Sequence, residues 1–431
     1  MNMRIFLISV LFLSVLSLQA QEPMKLSLDS AVNYAVTHNK ILKNSRYAID
    51  KSSQKIKETI SQGLPQVSAS LDYNNFLGAE AELKMNPMAP PIIIEFNPTS
   101  SFKGSASQLI FNGNYIVGVQ LSKLAKKITE QSYQKDELDV KYQTMQAYYM
   151  ALAMEQILIK LKENYKNAQS IYENTNNLAK VGMIEQTEAK KLSVMVTSVG
   201  NAVKSTERQV ELAYNLLRFQ LGLPSEQEIK LTTSLEDIAT KNYILNNPID
   251  TFNIQNNIDY QLISMQGEIA KKSINMAKAS YLPSLVAFYS YTKQIKEPNF
   301  NMTPEHVVGI QLNVPIFAGG LRKSKLNQAK IDFDVSENTK DLLTDQLTLQ
   351  EKQLRYNYNN LLEQYISQKE NVNIAKEVLD QMNLKIKQGV ASSLDVTSAN
   401  NDYLTAVTDL TGTILKLLNA ELDLRKLNNK L

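Results

Sequence analysis

The sequence predicts a mainly α-helical protein with a small β part, in which a long helical hairpin occurs twice. Residues Leu321–Gln388 contain neither glycine nor proline, and the same holds for Val119–Val181. A helix through either run would be roughly 100 Å long, at about 1.5 Å per residue. Gly182 and Gly389 follow the two runs and predict turns into a second, shorter helix.

The first residues have the three parts of an export signal. Met1–Arg4 supply a basic start, Ile5–Leu18 an apolar stretch, and Leu18-Gln19-Ala20 a cleavage site. We therefore predict that residues 1–20 are a signal peptide and that the mature chain begins near Gln21. The apolar stretch is too short for a membrane-spanning helix, and no later stretch approaches about 20 apolar residues.

The composition argues against several kinds of site. The chain has no cysteine, which excludes disulfides, thiolate metal sites and a catalytic thiol. Its two histidines, His38 and His306, stand far apart and lack metal-ligand partners at useful spacing. We therefore expect no metal and no cofactor. A net charge of +3, with both signs interspersed, argues against a nucleic-acid partner.

Two-residue alternation predicts strands after the first helix. A helical pattern over Leu28–Gln62 ends at Leu64-Pro65. Apolar residues then alternate with polar ones, as in a strand with one apolar face, at Val67, Ala69, Leu71 and Tyr73. A proline-rich loop, residues 77–100, leads to a weaker strand at roughly Ser101–Phe111.

The same order recurs in the second half of the chain. A helix over Ile258–Ser280 ends at Leu282-Pro283, as the first one ends at Leu64-Pro65. Alternation follows at Leu285–Tyr291 and, most clearly, at Val308–Ile316. We therefore predict two structural repeats, residues 21–235 and 236–431, each with a helix, two strands, a long helix and a further helix. A mixed linker covers residues 225–256.

Apolar side chains along the long helices keep a 3.5-residue repeat, which favours left-handed coiled-coil packing. In the first helix they are Ala147, Ala151, Met154, Leu158, Leu161, Tyr165, Ala168 and Tyr172. In the second they include Leu361, Tyr365, Val372, Ala375, Leu379, Met382 and Ile386. Such a narrow stripe needs neighbouring helices along its whole length.

The four predicted strands cannot close a membrane barrel, because the smallest bacterial barrels use eight. Alternation alone fits one face of a soluble sandwich equally well. The export signal and the lack of another hydrophobic anchor favour the membrane. We therefore expect the strands of several copies to pair with one another.

The ordered set of these features resembles the TolC family of outer-membrane efflux proteins. The set comprises the duplicated layout, the Leu-Pro before each first strand, the segment Pro315–Gly320 and the two glycine turns. The resemblance covers nearly the whole mature chain. It implies a homotrimer with a 12-stranded β-barrel in the outer membrane of a Gram-negative bacterium and a trimeric α-barrel tunnel through the periplasm. It also implies that Val308, Ile310, Leu312 and Val314 face outer-membrane lipid.

The resemblance places the two turns at the periplasmic tip of the tunnel. Gly182–Glu188 and Gly389–Asp395 align glycine to glycine and acid to acid. In the family such a tip docks a periplasmic adaptor and narrows the tunnel. This implies adaptor docking at Gly182, Met183, Glu188, Gly389, Val390 and Ser392. It implies a pore constriction at Asp395, with Ser398 where the family has a second acid and Asp402 one heptad later.

A simpler role is open for the two aligned acids. Glu188 and Asp395 stand near the start of a helix, where a carboxylate interacts favourably with the helix dipole. The two roles are compatible, and the sequence favours neither.

Together these features predict the exit duct of a tripartite efflux or secretion system. By resemblance, its partners are a periplasmic adaptor (membrane fusion protein) and an inner-membrane transporter of the RND, ABC or MFS type. Drugs and small molecules are the commonest cargo in the family; the alternatives are type I protein secretion and an exported structural coiled coil. We expect no enzyme, because catalytic triads, phosphate-cradling loops and cleft-like carboxylate pairs are missing.

Overall fold

The computed structural model describes residues 23–84, 90–238, 251–298 and 301–431. The predicted signal peptide, residues 1–20, and residues 239–250 of the predicted linker lie outside these ranges. Within them the chain is mainly helical with a small β part, and the predicted fold class is confirmed. The chain divides into two compact units. One holds Met1–Ser45, Tyr133–Ile258 and Thr344–Leu431, and the other holds Arg46–Ser132 and Asp259–Leu343.

Two very long helices dominate the described ranges, as the glycine- and proline-free runs predict. They have 68 and 67 residues. In chain order the α-helices are α1 (Leu28–His38), α2 (Lys40–Ser61), α3 (Gly113–Lys180), α4 (Gln186–Leu221), α5 (Leu235–Ile238), α6 (Ile258–Ala279), α7 (Leu321–Lys387) and α8 (Ser393–Leu427). Helix α3 begins earlier than the predicted run, because Gly113 and Gly118 are both tolerated in its first turns.

The prediction of one continuous helix over Leu28–Gln62 is wrong, because the helix is interrupted at Asn39. This residue is extended (φ −60°, ψ 133°), and its Nδ2 donates to the Gln220 carbonyl at 2.7 Å. Its Oδ1 accepts from the backbone N–H of Ile41, in the first turn of α2. A contact with the distant helix α4 therefore ends α1.

The strands are more numerous than the predicted four. In chain order they are β1 (Met24–Leu26), β2 (Gln66–Asn74), β3 (Glu80–Leu83), β4 (Ile92–Glu95), β5 (Thr99–Asn112), β6 (Ile229–Leu231), β7 (Ser284–Lys296) and β8 (His306–Asn313). The predicted loop 77–100 contains the β3–β4 hairpin, whose strands are too short for a periodic signal. Strand β1 pairs in parallel with β6, and β6 lies within the predicted mixed linker.

The four predicted strands form one antiparallel sheet in the order β2-β5-β7-β8. The central pair joins the two halves of the chain, since Ser107 lies opposite Phe288. At one end of the sheet the four strands connect to helices. At the other end, called the far end, they connect to the loops that follow β2 and β7. Residues in register share a face; Val67, Ala106, Tyr289 and Val308 form one such layer. We call the face carrying this layer the outward face.

A tightly packed cluster holds the first unit together. Tyr148 of α3, Leu217 of α4 and Leu418 of α8 are almost fully buried in it. The Tyr148 hydroxyl donates to the Leu26 carbonyl at 3.0 Å and so attaches β1 to the cluster. In the other unit, Tyr115 at the start of α3 donates to the Ile60 carbonyl at 3.1 Å. Among the described residues, no helix combines the length and apolar character needed to span a membrane.

Candidate functional site

The turn between α3 and α4 is a glycine-dependent helix end. Gly182 has a left-handed backbone (φ 78°), and its N–H donates to the Ala179 carbonyl at 3.1 Å. The N–H of Met183 donates to the Leu178 carbonyl at 3.0 Å. These two bonds are the Schellman pattern that satisfies the last carbonyls of a helix.

The turn between α7 and α8 repeats this geometry. Gly389 has φ 73°, its N–H donates to the Ile386 carbonyl at 3.1 Å, and the Val390 N–H donates to the Lys385 carbonyl at 3.0 Å. Each turn exposes apolar side chains to solvent, at Val181 and Met183 in the first and at Val390 and Leu394 in the second. We call these two turns with their flanking residues the hairpin tips.

Two glycines in the second hairpin distinguish the effect of a left-handed backbone from the effect of steric crowding. A Cβ at Gly389 or Gly412 would meet nothing within 4 Å, but only Gly389 has a left-handed φ. We expect Gly389→Ala to lower the free energy of unfolding by about 1 kcal/mol. Gly412→Ala, inside α8, should raise it by about 0.5 to 1 kcal/mol. Denaturant or thermal unfolding of the two variants measures both; equal shifts in the same direction would contradict the assignment of strain to Gly389.

Asp395 belongs to a capping box at the start of α8. The Ser392 Oγ accepts from the Asp395 N–H at 3.2 Å, and the Asp395 Oδ2 accepts from the Ser392 N–H at 2.9 Å. The Ser392 hydroxyl also donates to Oδ2 at 2.7 Å. Because these donors stabilise the charged form, they hold the pKa of Asp395 below its ordinary value. The predicted helix-start role of Asp395 is thus present in the structure.

Glu188 contacts the other hairpin. Its Oε2 accepts from the Ser393 N–H at 2.8 Å and from the Ser393 hydroxyl, and its Oε1 pairs with Lys191 Nζ at 2.8 Å. Ser393 is the first residue of α8 and is 1% exposed. A carboxylate at the start of α4 therefore satisfies a backbone donor at the start of α8. Lys191, and then Ser393, lower the pKa of Glu188 to about 2.

A small apolar cluster underlies this contact and holds the two hairpins side by side. Its buried members come from all four helices and include Ala168, Ile171, Leu192, Met195, Ile386 and Val396. Such packing fixes the positions of the helix ends, so the Glu188–Ser393 contact has a defined geometry.

Ser398 and Asp402 lie on the same exposed side of α8 as Asp395. The three positions are three and four residues apart, and all three side chains are exposed. Val396 and Ala399, between them in sequence, are buried. The predicted constriction residues therefore share one solvent-facing stripe; their role in a pore stays a prediction.

The outward face of the sheet is apolar and open. Val308 and Ile310 are 83% and 73% exposed, and Leu312 is exposed beside them. Val314, the fourth residue predicted to face lipid, is also exposed but lies beyond the end of β8 at Asn313. Pro315 follows it and has no N–H to continue a ladder.

The comparisons with known proteins agree with this geometry. Residues 254–430 match the family model described as outer membrane efflux protein. The fold is shared with CusC, a protein studied for transmembrane channel formation, at a TM-score of 0.75 and 15% identity, over 93% of this chain and 91% of that one. The chain is therefore similar to outer membrane efflux proteins, in sequence over residues 254–430 and in fold over nearly its whole length. The resemblance predicted from the sequence is confirmed.

Two curated proteins are similar to this chain in sequence. The protease secretion protein PrtF of Dickeya chrysanthemi is 22% identical over 307 residues, which are 70% of this chain and 66% of PrtF. The outer membrane protein TolC of Salmonella enteritidis is 22% identical over 311 residues, which are 68% of this chain and 60% of TolC. The matched regions thus span less than two thirds of either relative.

Two residues near the hairpin tips were not predicted from the sequence. Ser393 and Lys191 are both partners of Glu188, yet nothing around either residue marks it. By contrast, the pattern Ser392-x-x-Asp395 is a capping-box signature that does signal its own contact. The Glu188–Ser393 contact joins positions 205 residues apart, so only the fold brings it about.

Proposed function

We propose that this protein is the passive exit channel of a tripartite efflux or secretion system. In this proposal three copies form the channel, a periplasmic adaptor docks at the hairpin tips, and an inner-membrane transporter delivers the cargo. The observation that carries the proposal is the sheet. Its outward face is apolar and exposed, and its edge strands β2 and β8 each have one neighbouring strand among the described residues.

The open edges support assembly with further copies. Edge strands expose unpaired N–H and C=O groups, which neither water-free lipid nor a lone chain can satisfy. Pairing β8 of one copy with β2 of the next would satisfy both edges. Three copies of four strands then close a barrel of a size that spans outer membranes.

Exposed apolar residues along α7 support the same assembly. Ile331, Val335 and Leu342 in one unit, and Leu349 and Tyr356 in the other, are exposed at spacings of four and seven residues. A heptad stripe that the described part of the chain leaves exposed matches the packing surface of a coiled coil. We infer that a helix of a neighbouring copy covers it.

The apolar hairpin tips support an adaptor contact. Val181, Met183, Val390 and Leu394 are exposed at the two tips, and side chains of this kind are the usual core of a protein interface. The adaptor is the partner that this end of the proposed channel would meet. Transporters of the RND, ABC or MFS type fit this arrangement equally.

Two variants distinguish a role of the Asp395 charge in the pore from its role as a helix cap. We expect Asp395→Asn to weaken the cation preference of the channel, since three carboxylates would leave the narrow pore. Ser392→Ala should weaken the cap by about 1 kcal/mol and leave the pore charge in place. Reversal potentials in planar bilayers measure the preference. If the two variants change it equally, or neither does, Asp395 has no role as a pore charge.

A second candidate cargo follows from one relative. PrtF is named for protease secretion, and its match covers more of this chain than that of TolC. Protein secretion is therefore the alternative to efflux of drugs and small molecules. Deleting the gene would distinguish them, because efflux predicts increased drug sensitivity, whereas secretion predicts loss of an exported protein.

The channel itself is tested by fractionation and conductance. We expect the full-length protein in the outer-membrane fraction as a heat-sensitive trimer that conducts ions in planar bilayers. A soluble or filamentous product without conductance would refute the channel and favour an exported structural coiled coil.

A further inference from the structure

The outward face of the sheet changes character toward its far end. Along β7 its residues are first apolar, then aromatic and finally basic, in the order Leu285, Ala287, Tyr289, Tyr291 and Lys293. Along β8, from Leu312, the same direction leads through Ile310 and Val308 to His306, and along β2 the apolar residues end in Tyr73. This order matches a surface that passes from hydrocarbon through the interface to lipid headgroups.

The aromatic layer is a formed cluster. The Tyr289 hydroxyl lies 2.8 Å from Nδ1 of His306, and the two rings are nearly parallel with centroids 6.2 Å apart. The Tyr291 ring lies 5.0 Å from the His306 ring. These contacts place all three side chains on one face and so confirm the alternation by direct geometry.

Two lysines lie beyond this cluster on the same face. Lys293 is in register with Phe102 and, through it, with Leu71. A register shift at Ser100/Ser101 then brings Lys296 opposite Ser100, which lies opposite Tyr73. Both lysine side chains are exposed.

The outward face carries no carboxylate along these four strands, all of which the structure describes in full. The one acidic residue of the sheet, Asp72, is in register with Ser101 and therefore lies on the opposite face. The remaining lysine, Lys103, is in register with Ser70 and Thr292 and shares that opposite face. Within the four strands, therefore, no acidic side chain shares the face of Lys293 and Lys296; the exposed Glu297 follows Lys296 just beyond the end of β7.

We propose that the far end of the outward face, with Lys293, Lys296, His306 and the two tyrosines, binds the phosphate groups of an outer-leaflet lipid. The inference rests on the proposed function, which puts this face against the membrane and its far end outside the cell. The lipid class is one with acyl chains and phosphate monoesters, such as lipid A.

An acyl lipid fits this surface better than a soluble anion does. Along β7 and β8 the basic residues continue an apolar surface that runs from Leu285 and Leu312 to Tyr289 and Val308, and Gln108 of β5 lies beside it, opposite Ala287. A free phosphate would use only the lysines, whereas a lipid would cover the apolar and aromatic layers as well. Each lysine near a phosphate-rich surface should then strengthen binding about fivefold.

The test is a titration of the detergent-purified full-length protein with diphosphoryl lipid A, followed by native mass spectrometry or fluorescence. Lys293→Gln with Lys296→Gln should weaken binding by about 25-fold. Lys103→Gln, on the opposite face, is the matched control and should change nothing. Equal binding by the wild type and the double variant would overturn the proposal, as would an equal loss in the control.

Two further measurements identify the source of the phosphate and test the lipid site independently of the proposed channel function. Millimolar inorganic phosphate should not displace the lipid; full displacement would show a site for free phosphate and overturn the lipid assignment. Conductance in phosphatidylcholine bilayers should be the same for all variants. A wild type that conducts but shows no preference for lipid A refutes only this inference, whereas a wild type that never conducts refutes the proposed function.

Discussion

Ile310→Lys should prevent the protein from accumulating as a trimer in the outer membrane. Ile310 is exposed in the middle of β8 on the outward face, between Val308 and Leu312. A lysine near the middle of the bilayer costs about 2 to 4 kcal/mol in a barrel strand. Because each proposed channel holds three copies, the penalty acts three times on one assembly. The measurement is the amount of heat-sensitive trimer in outer-membrane fractions.

The next residue in the chain is the matched control. Gln311 lies opposite Val286, on the other face of the same strand. Gln311→Lys adds the same charge at nearly the same depth, but the proposed channel turns this face toward water. We expect near-normal trimer levels. If Gln311→Lys abolishes assembly and Ile310→Lys does not, the two faces of the sheet are assigned the wrong way round.

Glu188→Ala should release the start of α8 from the neighbouring hairpin. The Glu188 side chain is 26% exposed and accepts two hydrogen bonds from Ser393, so its loss leaves a buried N–H without its acceptor. A hydrogen bond to a charged group contributes about 1.5 to 3 kcal/mol. Taking the lower value because of the partial exposure, we expect exchange of the Ser393 amide to rise roughly tenfold. Hydrogen exchange of the intact protein measures this, and conductance should rise with it.

Acid should have the same effect on the wild type. The pKa of Glu188 is lowered from 4.5 to about 2 by Lys191 and Ser393. The contact therefore stabilises the tip fully above about pH 4.5, and this stabilisation is lost as the pH falls toward 2. Glu188→Gln should remove the part of that dependence due to Glu188 and leave the part due to Asp395, whose pKa is also lowered.

A neighbouring carboxylate supplies the control. Glu185→Ala should leave the exchange rate and its pH profile unchanged, because the side-chain oxygens of Glu185 contact Thr187 and not α8. The Glu188–Ser393 assignment would be wrong if wild type and Glu188→Gln showed the same acid profile.

The long helices were predictable because a single local rule decides them. Neither glycine nor proline interrupts the residues of α7, and Gly389 supplies the left-handed backbone at its end. The break at Asn39 was not predictable, since it depends on the close approach of α4. A Cβ at Gly222 would lie 2.8 Å from the His38 carbonyl oxygen, so glycine there lets the two chain segments meet.

The site shows the same division between local and distant causes. The capping box of Ser392 and Asp395 spans three residues and is visible in the sequence. The partnership of Glu188 with Ser393 depends on two hairpins packing side by side, and no local pattern encodes it. Sequence could therefore align Glu188 with Asp395, but it could not show that the two acids serve the same helix.

The sheet order has a consequence for how the chain acquires its structure. Strand β5 needs β7, whose residues follow it by about 180 positions in register, and β1 needs β6, since Met24 lies opposite Ile229. Such long-range pairing is slow, because loop closure precedes the contacts that stabilise it. In the exported channel proposed above, the first half of the chain would emerge before β7 and leave the β5 edge without its partner strand. Until β7 pairs with it, such an edge is prone to aggregation.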